Sequence, residues 1–326
     1  MAVTLAEAKN NALEDYDPMV IDEFRKNSEI LDSLIFDDVV SPAGGGATLT
    51  YSYRRLATQP TAAFRAVNTE YTPQEVTTEK HSVDLAILGG SFQIDRVLAN
   101  LGPEASGAIA LNITQKVKAA TTLFQDTVIN GDTATNANAF DGLDKALTGS
   151  STEDTTSKPD WTDTSDSGFK ILDSLDEFLS LLDGTPTVLV GNAKALAKLR
   201  AAARRSAQYV RDPVEDLLGS NGRPITRETY GGIILVDAGA KAGTNDPIIP
   251  VATDGTTDIY AYRVGLDGFH GVSVSGGQLV QTWLPDFTTS NAVKTGEVEL
   301  GPIGVALKAT KAAAVLRGVK VQAAQA

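Results

Sequence analysis

The residues best equipped for chemistry in this 326-residue chain are few, and their spacing assembles no catalytic set. Two histidines occur, His81 and His270, and no G-x-S-x-G elbow supplies a serine nucleophile to go with either. His81 falls in a β-prone stretch, and His270 sits in Gly268-Phe269-His270-Gly271, which reads as a turn between strands. The absence of cysteine removes disulfides, thiol nucleophiles and cysteine-ligated zinc. Gly44-Gly45-Gly46 is not followed by the Lys-Ser/Thr of a phosphate-binding loop, and no G-x-G-x-x-G fingerprint occurs, so the triplet reads as a flexible joint. Asp132, Asn136, Asn138 and Asp141 make an oxygen-rich loop, but without the D-x-D-x-D-G spacing and closing Glu of a calcium loop. The expectation is no catalytic residue, no metal and no cofactor. Asn112-Ile113-Thr114 matches a glycosylation sequon by chance, inside a predicted helix.

One charged constellation remains. Lys194, Lys198, Arg200, Arg204, Arg205 and Arg211 lie in a stretch, Gly184 to Arg211, that contains no acid. Their helical spacing predicts a basic face. Either DNA or a neighbouring subunit could meet it, and the nine acids of Glu153–Asp183 favour a protein partner. The net charge of −13 argues against a protein that coats nucleic acid, because such a coat displaces counterions with clustered Lys and Arg. An acidic protein can still enclose DNA without adhering to it.

The elements that must position these residues follow from composition and period. With 42% hydrophobic and 21% charged residues, the chain reads as folded, with no run long enough to span a membrane. The opening MAVTLAEAKNNALEDYD lacks a basic region followed by an apolar core, so no secretory signal is expected there. Residues 1–43 read as an arm: Ala6–Tyr16 weakly helical, Pro18 as a break, then Val20, Ile21, Phe24, Ile30, Leu31, Leu34 and Ile35 at helical spacing. It either folds back on the body or reaches a neighbour. Thr48–Tyr53 and the alternating Val83, Leu85 and Ile87 predict two strands around a long polar excursion, a hairpin too small to be stable alone.

Gly89–Arg96 (GGSFQIDR) reads as a turn into a long helix over 104–129, roughly 39 Å at about 1.5 Å per residue. Its buried stripe is expected to be Ile109, Ile113, Val117, Phe124 and Val128, flanked by Ala120 and Leu123, with Gly131 left-handed at its end. Residues 148–167 (TGSSTEDTTSKPDWTDTSDS) read as a surface loop. Helices over 168–182 and 192–207, the second capped by Asn192, flank a buried strand at Thr187–Val190. Strands are expected at Ile233–Val236, Ile248–Val251, Ile259–Val264, Gly271–Ser275, Leu279–Leu284, Glu297–Leu300, Val305–Leu307 and Ala312–Val321. No regular βαβ repeat emerges, so the fold class is α+β. No acid follows Glu299, and Lys308, Lys311, Arg317 and Lys320 form either a solvated face or a docking face for an acidic neighbour.

The order of these parts resembles the major capsid proteins of tailed bacteriophages with the Hong Kong 97-type fold. An arm, an extended hairpin, GGSFQIDR, a spine helix, NGD…FDGL at Asn130–Leu143, GRPITRE at Gly222–Glu228 and a terminal LRGVKV carry that resemblance. It implies an N-terminal arm (1–43), an extended loop (44–88), a peripheral domain (89–150 and 286–310) and an axial domain (151–285 and 311–326). It implies no enzyme but a homo-oligomer of hexamers and pentamers closing an icosahedral shell around double-stranded DNA. Portal and scaffold proteins would be partners, with assembly in the host cytoplasm, residence in the virion and no membrane association. Tyr51, Tyr53, Arg54, Arg55, Arg65 and Lys80 of the hairpin, with Arg204 and Arg205, are the expected intersubunit contacts. Some members cross-link a loop lysine to a neighbour's asparagine with help from a glutamate. Lys80, with Asn291 and Glu297 or Glu299, fits that pattern loosely, so a shell without cross-links is expected. An encapsulin-like nanocompartment is the alternative within the fold, and a cytoplasmic α+β enzyme is the alternative outside it.

Overall fold

A computed structural model of the chain describes residues 30–40, 49–99, 103–163, 169–206, 210–218, 224–244, 246–274 and 280–324. The readings of Ala6–Phe24, of Gly44–Gly46 and of Gly222 lie outside them. The helices are α1 (Ile30–Ser33), α2 (Arg96–Ala99), α3 (Pro103–Asn130), α4 (Leu143–Leu147), α5 (Phe169–Leu179) and α6 (Ala193–Arg205). The strands begin with β1 (Phe36–Val40), β2 (Thr50–Leu56), β3 (Thr78–Asp84), β4 (Ala86–Asp95), β5 (Glu153–Asp154), β6 (Val188–Gly191) and β7 (Val210–Leu218). They continue with β8 (Pro224–Tyr230), β9 (Ile233–Asp237), β10 (Thr256–Tyr262), β11 (Phe269–Val274), β12 (Val280–Trp283), β13 (Val293–Leu307) and β14 (Ala313–Lys320).

Three sheets result. In the first, β13 is the spine: β4 and β12 flank its first half, β11 pairs with its second half, and β1 adds to β11 in parallel. The second runs β5-β14-β10-β6-β9-β8-β7, and β2 and β3 pair only with each other. Neighbouring side chains of β10 serve two cores, because successive residues point to opposite faces of a strand. Tyr260 and Tyr262 face a core shared with α3, β4 and β13, whereas Ile259 and Ala261 face α5 and α6. The mixture of parallel and antiparallel pairs, with helices outside any βαβ repeat, is the expected α+β class.

The long helix α3 runs for 28 residues, roughly 42 Å. Its buried stripe is narrower than its sequence suggests. Ala120, Phe124, Val128 and Ile129 are buried, while Ile113 and Val117 are half-buried walls of a groove beside α1, and Leu123 is exposed. Five further expectations are corrected. Gly89–Asp95 is strand and not turn: β4 puts Ala86, Leu88, Phe92 and Ile94 inward and Ile87 out. Glu297–Leu300 and Val305–Leu307 are one 15-residue strand, and Ile248–Val251 forms none, although Ile248 and Ile249 are buried. The polar stretch after Thr148 is not all surface, since Trp161 is buried and donates its indole N–H to Ser174 Oγ at 3.1 Å. The end of the arm is short helix then strand: Ile30 and Leu34 enter the main core, and β1 joins the body.

Candidate assembly surfaces

The loop between β2 and β3 is the most exposed apolar element among the described residues. Phe64 is 108% exposed and Val67 87%, with Tyr71 and Val76 also open. Only local hydrogen bonds hold its rim, such as Thr61 N to Gln74 Oε1 at 2.7 Å and Thr77 N to Thr58 Oγ1 at 2.8 Å. Arg65 stays within the loop, donating to Thr69 O at 3.2 Å with its guanidinium over the Tyr71 ring. A loop of this kind buries nothing on its own body, so its apolar side chains are available to another surface.

The base of the hairpin is seated on the first sheet by side chains. Tyr51 donates to Asp37 Oδ2 at 3.1 Å, Tyr53 donates to Leu307 O at 2.8 Å, and Arg55 Nε donates to Lys308 O at 2.8 Å. Val40, Tyr51, Leu85, Val272 and Ala306 form a small core beneath them. Burial raises both tyrosine pKa values, so both phenols stay protonated donors near neutrality. Three of the expected intersubunit residues, Tyr51, Tyr53 and Arg55, are therefore engaged within their own chain. Arg54 and Lys80 face outward opposite each other in the β2–β3 ladder. His81 stacks on Tyr53 at 5.7 Å between ring centroids.

A second surface lies at the far end of α3, where the Asn130–Leu143 motif folds. Gly142 N donates to Gly131 O at 2.8 Å, which closes the loop between the two glycines. Gly131 does not take the expected left-handed conformation. It is required by space: a Cβ there would lie 2.3 Å from Phe140 O and 2.4 Å from Thr127 O. The carboxylates of that loop are occupied internally, since Lys145 pairs with Asp132 and lies 3.1 Å from Asp141. The hydrogen bond from Lys145 holds the Asp132 carboxyl below its usual range. Among the described residues no cluster of metal-ligating side chains is present.

Arg317 is the residue that sequence reasoning undervalued. Its guanidinium is 18% exposed and reaches Glu153 Oε1 at 2.9 Å, Asp258 Oδ2 at 3.0 Å and Asp144. It thereby ties α4 and β5 to β10 and β14, with Tyr260 donating to Asp144 Oδ1 at 2.9 Å. Lys320 likewise pairs with Asp160 at 2.9 Å, so the terminal cations are matched in large part within the chain, neither a plain solvated face nor a free docking face. An acid far away in sequence carries no signal of this pairing. Lys294 was also missed: it is 3% exposed and donates to Thr289 O at 2.7 Å and Thr289 Oγ1 at 2.6 Å. On the basic helix α6, Asn192 caps by accepting from Lys194 N at 2.9 Å, and Arg200 pairs with Glu228. Arg204 and Arg205 are exposed at its end.

No protein-family model matches the chain, and no curated protein matches it in sequence. Solved structures match over almost its full length. An encapsulin complex, holo-SrpI from Synechococcus elongatus, is 16% identical with a TM-score of 0.61, covering 99% of this chain and 98% of that one. The capsid of Myoviridae phage XM1 is 12% identical with a TM-score of 0.58, covering 94% and 97%. Mycobacterium phage Bobi is 13% identical with a TM-score of 0.58, covering 97% and 99%. At these identities the likeness is one of fold, and the fold is the Hong Kong 97-type capsid fold.

Proposed function

We propose that this chain is a major capsid subunit that assembles as hexamers and pentamers into an icosahedral shell around the double-stranded DNA of a tailed phage or prophage. The observation that carries the reading is the match in fold, end to end, with subunits of assembled shells. In this reading residues 1–43 form the arm, 44–88 the extended loop, 89–150 with 286–310 the peripheral domain, and 151–285 with 311–326 the axial domain. The exposed Phe64, Val67 and Tyr71 bury their side chains on a neighbouring subunit, with Arg54, Arg65, Lys80, Arg204 and Arg205 supplying charge contacts. Contacts between two different surfaces are heterologous and generate closed rings when the rotation permits. Portal and scaffold proteins are further partners, and the shell is structural and not catalytic. Among the described residues no helix is long and apolar enough to cross a membrane.

The second reading, a nanocompartment shell, is favoured by the likeness to the SrpI encapsulin complex. Purified particles treated with nuclease and then opened separate the two. Protected genome-length DNA supports the phage capsid. Particles filled with protein and free of DNA support the nanocompartment, and a stable monomer overturns both.

A further inference from the structure

His270 is fully buried on β11, and neither ring nitrogen has a hydrogen-bond partner. A neutral imidazole carries one donor and one acceptor, and neither meets a partner at good hydrogen-bond geometry, although the Gly265 and Gly268 backbone lies close enough to weigh on the ring. The sequence places it in a turn; the structure places it in a strand between β1 and β13, under the hairpin. The Tyr51 ring from β2 covers it edge-on, with centroids 5.9 Å apart. From β1, Asp37 Oδ2 stands 4.0 Å from Nε2, and the same oxygen accepts from Tyr51. Just past β13, the Lys308 ammonium lies over the Tyr51 ring and 4.0 Å from Asp37. Asp37, Tyr51 and Lys308 are the titratable groups that face it.

We propose that His270 is an acid-sensitive latch: neutral, it seats the β2–β3 hairpin and β1 on the first sheet, and protonated, it releases them. An imidazolium here would place a charge in a dry site beside Lys308, supported weakly by the Gly265 and Gly268 backbone. The Asp37 carboxylate is already engaged by Tyr51 and Lys308, so it offers only partial compensation. Relief requires exposing the ring to water, and the movable cover is Tyr51. The hairpin is suited to move because it pairs with no other strand and a two-stranded ribbon is marginal by itself. Burial first, then Lys308, push the His270 pKa down, against the opposing pull of Asp37 and of the Gly268 and Gly265 backbone. A base with a depressed pKa in the seated state contributes stability that is full above about 6.5, the free value, and is lost as pH falls below it. The inference concerns this chain's own hairpin and stands whether or not the shell encloses DNA.

Hydrogen exchange on the intact protein at pH 7.5 and 5.5, corrected for intrinsic rates, tests it. The amides of β1, β2 and β3 should lose up to about tenfold in protection at the lower pH, while α6 stays constant. His270→Phe should abolish that loss. If that variant fails to fold, Lys308→Gln decides, because removing the nearby cation should shrink the loss. Equal protection at both pH values, a loss shared by α6, or a loss unchanged in whichever variant folds would overturn the proposal.

Discussion

Replacing Gly142 by Ala tests whether the turn after α3 is built on close backbone contact. A Cβ at Gly142 would lie 2.5 Å from Thr127 O, 2.7 Å from Gly131 N and 2.7 Å from Ile129 O. All three atoms belong to the backbone, so no rotamer change relieves the collision and the loop or the helix end must shift. Overpacking of this kind costs typically ~1–3 kcal/mol, and the upper end applies where backbone must move. The reduced freedom of the unfolded chain offsets roughly 0.4–1 kcal/mol of it. A net loss of about 2 kcal/mol is expected. Gly184→Ala is the control, because nothing lies within 4 Å of a Cβ there. It should be neutral or slightly stabilising by the same unfolded-state effect. Urea denaturation of dispersed subunits measures both as shifts in midpoint at constant slope. A Gly142→Ala midpoint equal to that of Gly184→Ala would refute the packing argument for this turn.

Phe124→Asp should abolish soluble expression, since it places an unpaired charge at a fully buried site at a cost of several kcal/mol. Val117→Asp, on the half-buried groove wall, should cost about 1 kcal/mol or less and leave the melting transition near wild type. Arg317→Met should lower stability by about 3 kcal/mol in urea denaturation, because Glu153, only 13% exposed, loses the cation that compensates it. Boiled particles on denaturing gels should give one band at the chain mass, since Lys80 lies exposed on β3, in the paired stem of the hairpin and away from the tip of its loop. A ladder abolished by Lys80→Ala would contradict that.

Local signals explain which parts of the fold were legible. The long helix, the Asn192 cap and the terminal strand β14 follow from period and from residues adjacent in sequence. β4 was hidden because Gly89 and Gly90 read as turn punctuation, whereas Gly89 meets the β13 backbone: a Cβ there would lie 2.5 Å from Val298 O. β13 was split at Gly301-Pro302 because proline lacks a ladder donor. The strand continues past it by exchanging partners, β4 and β12 before the pair and chiefly β11 after it. The basic tail reads in sequence as a face, yet Arg317 is paired with acids up to 173 positions away. The seat of the hairpin was invisible for the same reason, since Tyr51, Asp37, His270 and Lys308 meet only in three dimensions. The hairpin itself was legible from its alternation, and its exposed loop from its lack of large aliphatic residues.

Sedimentation velocity of the purified full chain at micromolar concentration tests the shell directly. A capsid subunit predicts a megadalton boundary, with smaller rings as the only other abundant species. A single boundary at the 34.2 kDa of one chain, unchanged as concentration rises, would contradict it.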